Sequence, residues 1–553
     1  IYLLTIKSKR KKILIAKKKK ESMASMATTT KCAIHWFRKG LRLHDNPALL
    51  EAIKQSENIY PVFIIDPWFA REEFVGKRRY QFLLESLSDL DKSLRERKSR
   101  LYVAKGKPEE VLPQLFDKWS ISLLTFEKDT EPYARKRDSN IISMAESKNI
   151  TVKSFTSHTL FDPEHLLYLN KDQVPGTYKS FCSLVQGVKV SPPLEAPTIV
   201  PNDVVIKNGS EYDVPTLLDM GYEKIDGAPT PFLGGETEGL KRLNLHMKNK
   251  RYIAEFEKPK TSPNSLTPST TVLSPYLKFG CVSSRLFYKE LISVYKEVKK
   301  HSQPPVSLLG QLYWREWFYL NGFGIPNFDK MVGNPICVQI DWKENKEHLN
   351  AWKNAQTGFP FIDAIMTQLK NEGWIHHLAR HMVACFLTRG DLFISWEEGA
   401  KVFDRYLLDA DWSINNANWQ WLSASAFFHQ YFRVYGPVSF GKKTDKNGDY
   451  IRKHLPILKH MPKKYIYDPW NAPIDVQKSA GCIVGKDYPN PIVDHKIVSK
   501  RNMGWMAAAY RRRKELKAGK KNSSKKKKDN NNKKKRSSTN ANNLDKFLIK
   551  KQK

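Results

Sequence analysis

The apolar residues between positions 30 and 155 form short continuous runs that are separated by stretches with helical spacing. Five runs predict buried strands, at residues 32–37, 59–65, 101–104, 123–127 and 151–155. Residues 78–97 place apolar side chains at helical spacing, and Asn46-Pro47 has the capping side chain and early proline of a helix start. Strands that alternate with helices predict a parallel sheet with covering helices. We therefore predict an α/β domain at residues 30–155.

The pattern changes after this domain. Residues 156–235 lack a clear period and are rich in Pro and Gly, which predicts an interdomain connection. Residues 236–513 return to helical spacing with many aromatic residues, which predicts a second, mainly α-helical domain. The Lys-rich residues 514–553 contain few apolar positions and are expected to be disordered, as is the basic extension at residues 1–29.

Positive charge is concentrated at the two ends of the chain. The net charge is +36, of which residues 1–22 carry +8 and residues 511–553 carry +16, so the middle carries +12. A basic body favours a polyanionic partner, most simply nucleic acid, although charged tails also serve solubility. Met23 and Met26 follow the first basic stretch, and one of them is the expected start of the protein.

Cysteine usage and hydropathy exclude some classes of protein. The six cysteines include no CxxC pair, which argues against a zinc module or a dense disulfide framework and favours a reducing compartment. No apolar run reaches the roughly 18 residues of a membrane-spanning helix. We expect a monomer that has no membrane partner.

Two common phosphate-binding fingerprints are missing from the sequence. The chain contains neither GxGxxG nor GxxxxGK[ST], so its chemistry is expected in the helical domain. There, Thr270, Thr271 and Ser274 precede Pro275 at a predicted helix start, where hydroxyls and backbone N–H groups can bind phosphate. Ordinary helix capping explains the same pattern.

A second polar group is predicted on one helix face. Gln311, Trp314 and Arg315 share that face through i, i+3 and i+4 spacing. An amide, a flat aromatic ring and a guanidinium can together contact a base and a phosphate. An amphipathic core helix would have the same pattern, so both interpretations stay open.

Three histidines and an arginine fall close together in residues 376–381. Trp374, His377 and His381 are predicted to lie along one helical stripe, with His376 and Arg380 on the neighbouring stripe. Two histidines one turn apart can bind a metal, but no HExxH pattern and no third ligand is evident, so we expect no metal site. Alternatively, one imidazole transfers a proton while the other holds its tautomer, or the pair is structural.

The most polar stretch of the helical domain is residues 409–421. Two carboxylates, several side-chain amides and three tryptophans lie there. Buried polar groups need partners, and a polar heteroaromatic ligand would supply them. Trp396 and Trp342 could extend a chain of aromatic rings from Trp419 towards the surface.

These segments together resemble the photolyase/cryptochrome family, and the likeness runs from about residue 30 to about residue 513. It rests on five segments in the family's order and spacing, at residues 35–47, 270–279, 311–317, 373–381 and 409–421. The resemblance implies a Rossmann-like α/β antenna domain followed by an α-helical domain that holds FAD. The antenna domain would hold a deazaflavin, a folate or no chromophore, and these alternatives stay open.

The resemblance also implies the cofactor contacts. An ion pair of Arg380 and Asp409 would lie beside the isoalloxazine, Asp411 near the ribityl chain or ring edge, and Asn415 opposite flavin N5. Lys258 would lie near the phosphates together with the hydroxyls of residues 270–274. The full implied cofactor set is Lys258, Thr270, Thr271, Val272, Leu273, Ser274, Gln311, Arg315, Arg380, Asp409, Ala410, Asp411 and Asn415.

The family's photoreduction chain matches three tryptophans of this sequence. They are, in order outward from the flavin, Trp419, Trp396 and Trp342. Many relatives carry a fourth tryptophan three residues before the middle member, and Phe393 stands at that position here. This departure puts a relay of four tryptophans in doubt.

The histidines indicate the subgroup that the chain resembles. (6-4) photolyases and animal-type cryptochromes carry the pair seen at His377 and His381, where photolyases for cyclobutane dimers typically carry Asn and Met. Residues 423–435 look more like the repair enzymes than the clock-type cryptochromes. The implied lesion pocket is lined by Gln311, Trp314, Trp421 and Tyr435.

The resemblance implies light-driven repair of (6-4) photoproducts in UV-damaged DNA by electron transfer from reduced FAD, with His377 as general acid and His381 as its orienting partner. The alternative is a cryptochrome-type blue-light receptor that signals through protein partners without repair. A non-enzymatic DNA-binding protein does not account for the flavin constellation. Basic runs at residues 511–514, 525–528 and 533–536 resemble import signals and predict a nuclear protein.

Overall fold

The computed structural model describes residues 30–67, 69–202, 211–222 and 230–518. The predicted N-terminal extension, and the predicted tail apart from residues 514–518, lie outside these ranges.

Five parallel strands form the sheet of the N-terminal domain. They are β1 Thr30–Phe37, β2 Ser56–Ile65, β3 Tyr102–Lys105, β4 Leu123–Glu127 and β5 Thr151–Phe155. Their order is β3-β2-β1-β4-β5, with Trp36 opposite Val62 on one side and Phe126 on the other. The winding reverses between β1 and β4, and sheets of this kind bind ligands at the carboxyl ends of the strands near such a reversal.

Four helices connect these strands. They are α1 Pro47–Gln55, α2 Lys77–Arg95, α3 Pro108–Lys118 and α4 Pro132–Ser147. The predicted helix start is confirmed, because the Asn46 side chain accepts a hydrogen bond from the Leu49 N–H at 3.0 Å. The predicted α/β class is also confirmed, although β1 and β2 begin earlier than the apolar runs.

The two faces of the sheet are buried in different ways. Ile34 and Trp36 of β1 pack with residues of α3 and α4 in a core that belongs to the α/β domain itself. Ala33 and Phe37, which point to the other face, belong to a core that continues into the helical domain. The central strand therefore fixes the helical domain against the sheet.

The connection contains two short helices that the sequence pattern did not predict. They are α5 Pro163–Leu169 and α6 Tyr178–Val185, and the side chains of Asp162 and Thr177 cap their first turns. Helices of about two turns are too short to establish a period in the sequence.

The predicted helical domain consists of helices from residue 236 onward. They are α7 Glu236–Lys248, α8 Lys250–Glu255, α9 Ser274–Lys278, α10 Ser284–Glu297, α11 Leu308–Gly324, α12 Lys346–Lys353, α13 Pro360–Glu372, α14 His377–Cys385, α15 Trp396–Tyr406, α16 Trp412–Leu422, α17 Ser439–Thr444, α18 Asp449–His454 and α19 Ile474–Ser479. Residues 495–518 form α20. No helix in the described ranges has both the length and the apolar composition to cross a membrane.

The segment around the three histidines is broken into two helices. Gly373 ends α13 with a φ of 70°, and α14 begins only at His377 with His376 as its N-cap. The prediction that Trp374 shares a helical stripe with His377 and His381 is therefore wrong. A glycine in the left-handed conformation terminates a helix, so Trp374 lies in the turn.

Candidate functional site

An ion pair joins α14 to the loop before α16. Arg380 Nη2 donates to Asp409 Oδ2 at 2.8 Å, and Ser274 Oγ donates to the same oxygen at 2.6 Å. The Arg380 side chain remains 23% exposed, whereas Asp409 is buried and its Oδ1 has no hydrogen-bond partner among the described residues. An unpaired buried oxygen is costly, so this position suits a ligand that donates a hydrogen bond.

Lys258 adds positive charge beside this pair. It begins the 3₁₀ turn Lys258–Lys260. Burial and the like charge of Arg380 lower the pKa of Lys258 to about 8. Lys258 and Arg380 lie close enough for their like charges to repel each other, and an anionic ligand such as a phosphate would relieve that repulsion.

Residues 270–274 lead into α9 through a strained backbone. Val272 holds a φ of 47°, a left-handed conformation that is costly for a β-branched residue and that concentrates at ligand sites. Thr271, Val272 and Leu273 are buried, and Thr270 is half-buried. Because Ser274 bonds to Asp409, this segment and the ion pair form one cluster.

Both oxygens of Asp411 are engaged inside the protein. Oδ1 accepts from the Ile414 N–H at 3.2 Å and so caps α16, while Oδ2 accepts from the Tyr319 hydroxyl. Lys39 Nζ, beyond the end of β1, lies 4.0 Å from Oδ2. The sequence placed Asp411 at the edge of a cofactor. In the structure this carboxylate links the two domains, because a buried carboxylate takes the partners that packing provides, and its place at the edge of the cofactor stays a prediction.

Sequence reasoning missed this interdomain network. The Tyr319 hydroxyl also contacts His158 Nε2 at 2.7 Å, and Lys39 pairs with Asp129 at 3.1 Å and Glu131 at 2.6 Å. Lys39 lies in the segment that carried the family resemblance, which is the one available signal. The other members meet only through tertiary packing.

Asn415 lies near the start of α16 with its amide turned towards α15. Its Nδ2 donates to the Ala400 carbonyl at 3.1 Å and to Asp404 Oδ1 at 2.8 Å. Burial raises the pKa of Asp404 to about 6, although Arg79 opposes the shift. Asn415 can therefore offer only its side-chain carbonyl to a ligand. Asp404 was not among the predicted site residues. Ala410, which lies between Asp409 and Asp411 in the sequence, is buried.

The predicted histidine pair lies one turn apart on α14. The rings of His377 and His381 are 6.0 Å apart at 85°, and in the described part of the chain no hydrogen bond joins them. Instead, His381 Nδ1 lies 3.3 Å from the Tyr435 hydroxyl, and the His377 ring contacts His376 at 4.3 Å. The expectation that His381 directly orients His377 is thus corrected, since the separation of the rings leaves Tyr435 as the partner of His381.

Burial keeps both imidazoles neutral at neutral pH. It lowers the pKa of His381 to about 3 and also lowers the pKa of His377 below its ordinary value, and the nearby Lys258 adds to both shifts. In the free protein neither imidazole is therefore protonated at neutral pH.

The aromatic residues of the predicted lesion pocket form two separate contacts. Trp314 and Trp421 meet edge to face at 5.4 Å and 87°, and Trp314 also stacks on Tyr178 at 4.1 Å. Tyr435 lies beside His381 instead, with ring centroids 6.2 Å apart. The sequence predicted that these residues line one lesion pocket. In the structure they form an indole pair and a tyrosine–histidine pair.

Gln311 and Arg315 use their side chains for internal contacts. Gln311 Nε2 donates to the Pro305 carbonyl at 2.9 Å. The buried Arg315 donates to Glu316 at 2.6 Å and to the His158 carbonyl at 2.9 Å. The cofactor role implied for these two residues stays a prediction. A buried guanidinium must be paired, and the pairing here ties α11 to the chain before α5.

The three predicted relay tryptophans bury their indole nitrogens. Nε1 of Trp419, Trp396 and Trp342 is buried and has no hydrogen-bond partner within the described ranges. Trp419 packs on α15 one turn after Trp396, where a Cβ at Gly399 would lie 2.1 Å from the Trp419 ring. An oxidised indole that cannot release its proton keeps its positive charge, which can then pass to the next ring.

A cleft of about 220 Å³ opens at the carboxyl ends of β1, β4 and β5. Lys39, Lys128 and Thr156 line it from the strand ends, with Asp138 from α4 and Phe323 from α11. It lies next to the reversal of winding where sheets of this class bind ligands. The cleft is therefore a candidate position for a second chromophore.

Comparison with known proteins assigns the chain to a family. The family model described as DNA photolyase matches residues 33–198, and the model described as FAD binding domain of DNA photolyase matches residues 308–508. Cryptochrome-1 of Gallus gallus is 53% identical over 489 residues, which cover 87% of this chain and 78% of the relative. The chain belongs to the photolyase/cryptochrome family. Its helical domain is accordingly an FAD-binding domain.

Solved structures of the family share this fold. A Synechocystis cryptochrome matches with a TM-score of 0.76 and 27% identity, over 86% of this chain and 99% of the other. An archaeal photolyase from Sulfolobus tokodaii, described with two FAD molecules and a novel light-harvesting cofactor, matches with a TM-score of 0.68 and 27% identity, over 87% and 100%. Curated relatives at 50–53% identity are cryptochromes. These relatives favour the receptor alternative and leave the (6-4) subgroup a prediction.

The cluster around Arg380 fits FAD. A flavin ring carries N–H and carbonyl groups, and the two phosphates of FAD are anionic. The unpartnered Asp409 oxygen can accept a hydrogen bond, and Arg380 and Lys258 supply positive charge. These three residues would hold the cofactor, with Ser274 fixing the carboxylate.

Replacing Asp409 by Asn is expected to weaken FAD binding roughly 10- to 150-fold, because losing a charged hydrogen-bond partner costs about 1.5–3 kcal/mol. Flavin absorbance retained after gel filtration over a range of protein concentrations measures the effect. Glu398→Gln is the matched control, since Glu398 forms an exposed pair with Lys401 that contributes about 0–1 kcal/mol. Equal retention in D409N and the unmodified protein would remove the ion pair from the site.

Proposed function

We propose that the protein repairs UV-damaged DNA by using light to reverse (6-4) photoproducts. One observation carries the proposal: α14 holds His377, Arg380 and His381 within two turns, and Arg380 is the cation that would hold FAD. Light-driven electron transfer would then occur beside two groups that can move a proton. Membership of the family supports the flavin part of the proposal.

The protein's own residues bind and orient in this scheme. FAD, when bound and reduced, supplies the light absorption and the electron that the lesion receives and returns. Arg380 and Lys258 balance its negative charge, and Asp409 holds Arg380 in place. A lesion flipped out of the duplex would stack against the indoles of Trp314 and Trp421, since aromatic faces stack on bases.

His377 is the proposed general acid. Reversal of a (6-4) adduct moves an oxygen substituent back between two pyrimidines, and a proton delivered to that oxygen favours the forward path. The phosphates of FAD and DNA would bring negative charge towards α14, which would offset part of the lowering of the imidazole pKa values and leave them below the ordinary histidine value. His381 would be a positioning residue, because its Nδ1 contacts the hydroxyl of Tyr435, one of the residues predicted to line the lesion pocket.

A second candidate function is a blue-light receptor that signals through protein partners. The curated relatives favour it, because those at 50–53% identity are named cryptochromes. In this alternative the same FAD site senses light, and the histidines transfer no proton to DNA. The two functions therefore differ in whether a lesion is converted.

Two oligonucleotides that differ only in their lesion distinguish these candidates. FAD-loaded, chemically reduced protein is illuminated with a (6-4) oligonucleotide or with a cyclobutane-dimer oligonucleotide, and restored strands are quantified by chromatography. We expect restoration of the (6-4) strand alone. Restoration of neither strand would favour the receptor function, and restoration of the cyclobutane strand alone would contradict the lesion assignment.

The basic tail is proposed to direct the protein to the nucleus. Deleting residues 515–553 is expected to lower nuclear accumulation and to flatten the salt dependence of DNA binding, because fewer cations release fewer counterions. Microscopy of a fluorescent fusion and binding titrations at several salt concentrations measure the two effects. A tail of equal length with Gln for Lys controls for chain length, and an unchanged distribution between compartments would contradict the import role.

A further inference from the structure

Ring contacts continue outward from Trp342 beyond the three predicted relay members. The Phe393 ring lies 4.9 Å from the Trp342 ring and also 4.9 Å from the ring of Trp505 on α20. The two indoles are thus no farther apart than the sum of these distances, and one aromatic ring touches both. Phe393 stands where many relatives carry a fourth tryptophan, and the indole of Trp505 contacts this phenylalanine.

Buried contacts hold α20 at this point of the fold. Met506 and Ala509 pack with Phe393 in one hydrophobic cluster and are 0% and 1% exposed. The Asn502 side chain donates to the carbonyls of residues 390 and 391 at 3.2 and 3.0 Å. Trp505 lies between these anchors in sequence, so its position beside Phe393 is fixed by the packing of the helix.

Trp342 and Trp505 differ in their access to water. Nε1 of Trp342 is buried and unpartnered in the described residues, so an oxidised Trp342 has no acceptor for its proton. Trp505 is 36% exposed, and Arg501 and Lys343 lie 4.5 and 5.5 Å from its ring. Cations attract a neutral indole but repel an oxidised one, so they favour loss of the indole proton to water.

We propose that Trp505 is a fourth, terminal electron donor of the relay. The inference rests on the proposed function, in which Trp419, Trp396 and Trp342 pass an electron inward. In the added step, oxidised Trp342 takes one electron from Trp505 across Phe393, and the Trp505 indole N–H proton passes to water. Trp342 returns to its neutral closed-shell form, and a neutral indolyl radical remains on Trp505. Back-transfer then requires that proton again, which prolongs the charge separation.

Flash photolysis of the full-length, FAD-loaded protein with oxidised FAD tests this step. The unmodified protein is expected to form a long-lived neutral indolyl radical, which absorbs at shorter wavelength than the radical cation. Trp505→Phe loses this long-lived phase, whereas Trp505→Tyr restores a long-lived radical with the electron paramagnetic resonance spectrum of a tyrosyl. Trp470→Phe is the matched control, because half-buried Trp470 contacts a phenylalanine, Phe359, at 5.4 Å and behaves as the unmodified protein.

An unchanged long-lived indolyl radical in Trp505→Phe overturns the proposal. The variant Trp342→Phe distinguishes an error in the fourth donor from an error in the three-tryptophan relay. If Trp342→Phe removes the radical and Trp505→Phe does not, only the fourth donor is wrong. If neither variant changes the radical, the relay of the proposed function is wrong as well. Flavin absorbance verifies equal FAD loading in every sample.

Discussion

Replacing His377 by Asn lowers the yield of (6-4) repair by at least about tenfold, because a positioned proton donor contributes roughly 10²–10⁴-fold. Electron transfer alone leaves a lesion that can return its electron unrepaired, and proton transfer makes the forward path compete. FAD binding is expected to persist, since the ion pair of Arg380 and Asp409 does not include His377.

Repair per absorbed photon on a defined (6-4) oligonucleotide measures this effect, with flavin content and lesion affinity determined for each protein. His348→Asn makes the same change near the start of another helix, α12, and should leave the yield unchanged. A near-normal yield in H377N would exclude His377 from the mechanism, whereas loss of FAD would give it a structural role.

The pH dependence follows from the lowered pKa values of the pair. Burial lowers the pKa of His381 to about 3 and lowers the pKa of His377 as well, so the protonated form is a minority at neutral pH and grows as the pH falls. If protonated His377 is the acid, the yield should keep rising as the pH is lowered through about 6.5, the ordinary histidine value. A plateau reached above that pH would contradict the lowered values in the working complex.

The second large effect is expected at the inner end of the relay. Trp419→Phe should lose most of the light-driven reduction of oxidised FAD, because phenylalanine is far harder to oxidise than tryptophan. Trp419 follows Asn415 by one turn of α16 and packs on α15 beside the turn that begins at Trp396. Repair by protein whose FAD has been reduced chemically should be retained, since the relay is then bypassed.

Trp352→Phe provides the comparison for this experiment. Trp352 contacts Trp419 at 6.2 Å, but its Nε1 donates to the Val383 carbonyl at 3.1 Å, so it lies beside the relay with its N–H paired. Photoreduction followed by flavin absorbance should be normal in W352F. A normal rate in W419F would show that the electron enters by another route.

The sequence predicted the sheet well because its signals are local. All five strands overlap the predicted apolar runs, β4 and β5 coincide with them, and Asn46 caps α1 as expected. The helices α5 and α6 escaped prediction because two turns give no period. The break after Gly373 was missed for a different reason: the spacing of Trp374, His377 and His381 fits one helix, but Gly373 ends α13 and the next helix begins only at His377.

The site was predictable where the family motif fixes a local contact. Arg380 and Asp409 form an ion pair as the resemblance implied. The protein contacts of Asp411 and Arg315 were not predictable, because Tyr319, Lys39 and the loop at His158 reach them only when the two domains pack. Trp505 had no sequence signal, since its neighbour Phe393 lies on a distant segment.

The central claim is most directly tested by single-turnover repair of a (6-4) oligonucleotide by purified protein with fully reduced FAD, in light and in darkness. The proposed function predicts restoration of the intact strand in proportion to absorbed photons and none in darkness. Illumination that leaves the lesion intact, in protein that binds FAD and reduces it with light, would contradict repair and leave light sensing as the function.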